Sequence, residues 1–349
     1  MIAVTLLVCI TLSFLFTTLA KKLNISAVVG LIVSGIILGS PSVKKILIGP
    51  NTDLIHWLGN LGFLALMFLA GLEISWCLLY KERKDALKVA FFAAFIPLLL
   101  GFSVFFVLGF SLATCLIIGI SMSITAEATK ARVLIEIDKL DTEVGSLMMG
   151  AGIIDDVVGL VLFAAVSYFF TGNAATHEFI QTISAIGVFF LGIAVHKIVG
   201  RHKKLVLAGE RMLLLGVIPF FFYSMGIHFS FQSLFLNTKF LAIILAISIA
   251  GKIIGSMIAK PIISLTWKQL YLVGWGMNSR GAVELALALL AFRAGFIERD
   301  IYSSLILMAL STTLLFPFVL KRLVKNDPDI MGETAKTCVL PKHLRKKRL

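Results

Sequence analysis

The sequence predicts an all-α, polytopic membrane protein of about eleven transmembrane helices, and three observations predict it. Of its 349 residues, 59% are hydrophobic and only 15% charged, whereas soluble domains carry roughly a quarter charged residues. Apolar stretches of about twenty residues, long enough to cross a hydrocarbon core of about 30 Å, recur from one end to the other. The basic residues between them are distributed unequally, as the positive-inside rule requires of a multi-pass chain.

Apolar helices are expected at residues 2–20, 25–39, 54–74, 86–109, 112–139, 144–170, 178–200, 210–229, 237–262, 268–292 and 300–322. The first has the length of a signal peptide. No basic residue precedes its apolar run, however, and Lys21–Lys22 follow it. That order favours an uncleaved first helix with its N-terminus outside. Alternation from that start assigns 25 basic residues to the cytoplasmic side, among them Lys81, Lys130, Arg132, Lys139 and the tail KHLRKKRL, against 5 outside (Lys44, Lys45, Lys239, Arg293 and Arg299). A cell inner membrane with the C-terminus cytoplasmic follows. The net charge of +13 then belongs to cytoplasmic loops and a juxtamembrane patch facing anionic lipid, not to a nucleic-acid arm.

An internal repeat is visible. The stretch LIHWLGNLGFLALMFLAGLEIS (54–75) resembles GERMLLLGVIPFFFYSMGIHFS (209–230) in length, aromatic content and a terminal Gly-x-x-x-Ser, and three further spans follow each. One repeat covers roughly 54–170 and the other 209–322, joined by a linker helix at 178–200. The first starts outside and the second inside. Inverted repeats of this kind build secondary transporters, whose substrate sites lie near the midplane.

Ionisable groups at membrane depth are functional candidates by default. Here they are Glu127, Asp155, Asp156, Lys252, Arg280 and Glu284, with Glu73 nearer a helix end. Asp155–Asp156, Lys252 and Arg280 each fall near the centre of a different span, so three helices put charge at one depth. Asp155 and Asp156 are about 100° apart on a helix and face different neighbours, so one can pair with a lysine while the other lines a cavity. Two carboxylates this close titrate as a pair. A pure structural brace would not need both.

Two polar stretches interrupt apolar spans. SMSITAEAT (121–129) carries Ser123, Thr125 and Glu127, and GMNSRG (276–281) carries Arg280. Hydroxyls and freed carbonyls suit a broken helix or a cation, and Arg280 can neutralise helix C-terminal dipoles. The breaks occupy corresponding spans of the two repeats, as discontinuous helices do in transporters. The six histidines sit in or near predicted loops with no metal spacing and are expected to be solvated or capping. The four cysteines show no pairing pattern, and no nucleotide-binding glycine motif is present. No cofactor is implied.

The segments NISAVVGLIVSGIILGSP, GFLALMFLAGLEI, GIIDDVVGLVLFAAV, IAGKIIGSMIAK and NSRGAVELALALLAFRAGFIERDIYSSLILMALSTTLLFPFVLKRL resemble the cation/proton antiporter superfamily, in its Kef/NapA-type branch of sodium/hydrogen exchangers. The resemblance implies an NhaA/NapA-like fold in which two crossed discontinuous helices lie beside the aspartates, within a mobile core that moves against a dimer-forming scaffold. It further implies that residues 1–325 form the transmembrane domain, with 1–53 as scaffold helices and 326–349 as a basic cytoplasmic tail. Asp156 resembles the carboxylate that binds cation and proton in turn, and Asp155 the partner of Lys252. Ser123, Thr125 and Glu127 lie in the first break, and Arg280 lies in the second, followed by Glu284.

Two departures stand out. The family usually shows about thirteen spans, so a helix pair is expected to be missing between about Lys197 and Glu210. No nucleotide-binding regulatory domain is expected in this chain. The function implied is exchange of Na⁺ or K⁺ for H⁺ by a homodimer in the lipid bilayer. The alternative is a cation channel or a transport-inactive member of the fold. An intramembrane aspartyl protease needs one aspartate on each of two facing helices, whereas both lie on one here, so no enzyme is expected.

Overall fold

The computed structural model describes residues 2–23, 27–40, 43, 52–72, 83–171, 177–199, 209, 212–232 and 238–333. They are helical almost throughout, and each of the eleven expected segments holds helix. In chain order these are α1 (Ile2–Lys22), α2 (Ala27–Leu38), α3 (Thr52–Leu72), α4 (Arg83–Val107), α5 (Leu112–Ser123), α6 (Glu127–Glu136), α7 (Glu143–Thr171), α8 (His177–Val199), α9 (Ile218–His228), α10 (Thr238–Ile258), α11 (Trp267–Gly276), α12 (Ala282–Arg293) and α13 (Arg299–Asn326). The segments expected at 112–139 and 268–292 are each two helices with a gap between them. Helices α3, α4, α7, α8, α10 and α13 are long and apolar enough to cross a bilayer. Large apolar side chains such as Leu7, Phe14, Phe106, Phe169 and Phe318 are exposed, as lipid-facing residues of a membrane protein are.

The chain divides into two compact units, one made of residues 1–74, 167–241 and 285–310, the other of 75–166, 242–284 and 311–349. In the first unit α3 packs on α8 and α9, and α2 packs on α1 and α9. Gly35 of α2 and Gly39 just after it meet the backbone of α9 at Phe222 and Gly226, so close that a Cβ at either would strike a carbonyl oxygen. Small residues four apart allow this approach, and membrane helices gain from it because apolar side chains have no hydrophobic drive to associate in lipid. Tyr223 of α9 reaches α1, where its hydroxyl bonds Ser13 and donates to the Cys9 carbonyl.

In the second unit α4 packs on α5, with Gly119 against the Leu98 carbonyl. One apolar core joins residues of α4, α6, α7, α11 and α13, including Val89, Leu134, Leu147, Leu272 and Phe316. Two helix starts in this unit carry side-chain caps. Ser111 accepts from the Thr114 N–H at 3.2 Å, and Thr266 with Gln269 forms a capping box ahead of α11.

The expected loss of a helix pair between about Lys197 and Glu210 falls largely outside the described residues. So do Glu73, Lys44, Lys45, Lys81 and the tail from residue 334.

Candidate functional site

Among the described residues, the predicted intramembrane charges Glu127, Asp155, Asp156, Lys252, Arg280 and Glu284 all fall in the second unit, around the two breaks. The first break exists because Ile124 and Ala126 hold extended backbone angles (φ −70°, ψ 148° and φ −86°, ψ 120°). Helix α5 therefore stops with its last carbonyls unpaired, in a region where water cannot serve them. Two cations take them up. Arg280 donates to the carbonyls of Ser121 at 3.1 Å, Met122 at 2.7 Å and Ile124 at 2.5 Å, and to Ser248 Oγ on α10. Lys252 donates to the Ser123 carbonyl. The negative end of the α5 dipole thus faces two positive side chains.

The second break is served by side chains of its own and of the first. Asn278 donates to the Gly274 carbonyl at 3.0 Å, and Thr125 Oγ1 lies 3.2 Å from the Met277 carbonyl. The two breaks also bond each other directly. The Ala126 N–H donates to the Ser279 carbonyl at 2.8 Å, and the Ser279 hydroxyl donates to the Ala126 carbonyl at 2.9 Å. Gly281 permits this approach, since a Cβ there would press on that of Ala126.

Asp155 lies beside the first break. Its Oδ2 accepts from Lys252 Nζ at 2.7 Å and faces Thr125 Oγ1 at 3.0 Å, while Lys252 also donates to Thr125 Oγ1 at 2.9 Å. Asp156, only 5% exposed, has no ion pair, and its Oδ1 has no hydrogen-bond partner among the described residues. Ser123 spends its hydroxyl on the Ile120 carbonyl at 2.7 Å, so its backbone oxygen, and not its side chain, serves the site.

Glu127 opens α6, where a carboxylate complements the helix dipole. Its Oε1 accepts from Lys130 at 2.8 Å, and Lys130 also donates to the Met148 carbonyl of α7 at 2.7 Å. Lys130 is a correction. Its assignment to a cytoplasmic loop does not hold, because the side chain is fully buried. Its place on the cytoplasmic side followed from topological alternation and the end of the expected helix 112–139, yet a polar half-helix can lie inside protein when its charges pair. The Glu-x-x-Lys spacing, one turn apart on one face, was the signal for this pair. The pair seats against Gly152 of α7, where a Cβ would collide with Glu127 Oε1 and Lys130 Nζ. Glu284, in the first turn of α12, lies 3.7 Å from Arg280 Nη1, and among the described residues neither of its oxygens has a hydrogen bond.

Arg293, expected in an external loop, and His56, expected to be solvated or capping, are corrections too, whereas His228 does cap, its Nδ1 in the last turn of α9 lying 2.8 Å from the Ser224 carbonyl. They form a partly buried cluster in the first unit. Arg293 donates to Asn60 Oδ1 at 2.7 Å and Ser224 Oγ at 2.6 Å, and lies 3.2 Å from His56 Nδ1. The His56 and His228 rings are 5.3 Å apart. Among the described residues no three His, Cys, Asp or Glu side chains converge as a metal site.

A family model described as sodium/hydrogen exchanger, transmembrane, matches residues 9–208 and 171–326. A Na(+)/H(+) antiporter of Enterococcus hirae is 26% identical over 365 residues, taking in 88% of this chain and 94% of that protein. The Na(+)/H(+)-K(+) antiporter GerN of Bacillus cereus is 24% identical over 372 residues, with 89% and 94% covered. Both alignments run longer than the 349 residues here, so each relative carries residues without a counterpart in this chain. Among solved structures, that of the sodium proton antiporter MjNhaP1 from Methanocaldococcus jannaschii has a TM-score of 0.65 at 17% identity, covering 94% of this chain and 98% of that one. It shares the fold. With broken, mutually bonded half-helices around buried aspartates and a family match over most of its length, the chain belongs to the sodium/hydrogen exchanger transmembrane family.

Proposed function

We propose that this protein is a secondary antiporter that exchanges a monovalent cation, Na⁺ or K⁺, for protons across a bacterial-type inner membrane by alternating access. The observation that carries the reading is Asp156, a buried carboxylate beside the two helix breaks that, unlike Glu127, Asp155 and Glu284, has no ion pair among the described residues and whose Oδ1 has no hydrogen bond there. A buried unpaired carboxylate is costly unless a cation or a proton neutralises it. Either occupant satisfies the same oxygen, so the two compete, and competition for one site is what couples their fluxes.

The charge count supports a monovalent cargo. Glu127, Asp155, Asp156 and Glu284 face Lys130, Lys252 and Arg280, which leaves one negative charge to be met from outside. Asp156 is the primary ligand in this reading. Asp155, Thr125 and Glu127 border the cation, while Lys252 and Arg280 hold the first break open. All of these residues lie in one compact unit, as a site carried by a single moving body requires. The names of the relatives support sodium, and that of GerN adds potassium.

In the same reading residues 54–170 and 209–322 are repeats of opposite orientation, 178–200 links them, and 1–53 supplies scaffold helices of a homodimer. The N-terminus is outside and the basic tail cytoplasmic. The deciding experiment places purified protein in liposomes and follows internal pH while Na⁺, K⁺ or Li⁺ is added outside. Proton efflux that depends on the cation and reverses with its gradient is expected. Cation conduction without proton movement would make the chain a channel, and no movement of either would make it a transport-inactive member of the fold. The relatives' residues that have no counterpart in this chain are what favour a transport-inactive member.

A further inference from the structure

We propose that Lys130 is a built-in counter-ion that sets the charge of the cation site, and thereby restricts it to a single monovalent ion. The inference rests on the antiporter reading and names a specificity residue within it.

Glu127, Asp155 and Asp156 all border one face of α7. Gly152, which cradles the Glu127 carboxylate, lies three residues before Asp155 and four before Asp156, so it shares their face one turn away. Side chains so spaced are about 5–6 Å apart at Cβ, which brings the Glu127 carboxylate into the immediate surroundings of Asp156. Three carboxylates on this face are opposed by Lys252, bound to Asp155, and Lys130, bound to Glu127. One charge remains for cargo.

Lys130 is well built to hold that balance. It is fully buried, and the Met148 carbonyl fixes its ammonium at 2.7 Å while Glu127 is held at 2.8 Å. Glu127 Oε2 remains unbonded and buried, so the glutamate still presents an oxygen to the site while its charge is cancelled. Were the pair only a packing brace, removing either member would harm cation binding in the same sense. As a charge-setting pair, the two must act in opposite senses.

The test compares wild type, Glu127→Gln, Lys130→Met and the double variant, purified and checked for folding by gel filtration and thermal melting. Cation-driven proton flux in liposomes is measured at alkaline pH, and cation-induced thermal stabilisation is measured in detergent with Na⁺, K⁺, Mg²⁺ and Ca²⁺. Lys130→Met is expected to bind Na⁺ more tightly, on the order of tenfold for one uncancelled buried charge nearby, and to become sensitive to Mg²⁺ or Ca²⁺. Glu127→Gln is expected to weaken Na⁺ binding by a similar factor. The double variant should return close to wild type. Weakening in both single variants, or single variants that match wild type, overturns the proposal. Wild type without cation-driven proton flux would instead defeat the antiporter reading, and the detergent measurement would still test the charge balance.

Discussion

Lys252 answers to two demands at once: it neutralises Asp155 and it caps the Ser123 carbonyl. Removing one partner of a buried ion pair costs about 3–5 kcal/mol, so Lys252→Ala should lower the melting temperature markedly. Adding Asp155→Asn should recover part of that loss and no more, because the Ser123 carbonyl and Thr125 still lack their donor. Equal melting of wild type and both single variants would remove the pairing. Asp156 should behave otherwise. It has no partner to lose, so Asp156→Asn is expected to stay folded and inserted while cation-driven proton flux vanishes. Normal flux in that variant would exclude Asp156 as the primary ligand.

At the scale of elements, α5 depends on a side chain more than 150 residues away. Three of its terminal carbonyls are met by Arg280, and each buried polar group left unsatisfied costs about 1–3 kcal/mol. Arg280→Ala should therefore destabilise the second unit, more than Lys130→Met does. Arg280→Lys should restore only part of the loss, since an ammonium lacks the planar fork that spans adjacent carbonyls. Thermal melts of the three variants in one detergent would check the order. In the first unit the crossing of α2 and α9 is set by backbone contact at Gly35, Gly39 and Gly226. Gly226→Ala must push these helices apart and should cost stability without altering cation affinity. A change in cation affinity at unchanged stability would refute that division of roles.

Over the whole molecule, the two runs of helix share one pattern. Helices α3, α4, α5 with α6, and α7 are followed after α8 by α9, α10, α11 with α12, and α13, and the third member of each run is the broken one. In an inverted pair the same landmark of each run lies on opposite sides of the membrane. Single cysteines introduced in a cysteine-free background, at Lys84 in the first turn of α4 and at Lys239 in the first turn of α10, should therefore react with an impermeant thiol reagent from opposite faces. Labelling of both from one face would overturn the inverted arrangement.

Much of this was legible in the residues alone. Apolar run length placed the helices, and hydropathy is a local property that a bilayer reads span by span. Asp155, Asp156, Lys252 and Arg280 stood out by their central positions within those runs, and the structure buries all four. Ser123–Glu127 and Met277–Gly281 announced the breaks because hydroxyls, Asn278 and glycine are what an unwound segment in hydrocarbon requires. Partner identity was not legible in the same way. That Ala126 bonds Ser279, that Arg280 closes α5, and that His56 and Arg293 share Ser224 each join residues from distant parts of the chain, and no one-dimensional pattern carries such pairings. Lys130 shows the difference most plainly. By sequence it is a lysine in a weakly apolar stretch and belongs in water. By structure Glu127, the Met148 carbonyl and the bare face of Gly152 together supply what water would have, and only packing α6 against α7 brings those groups to a single ammonium.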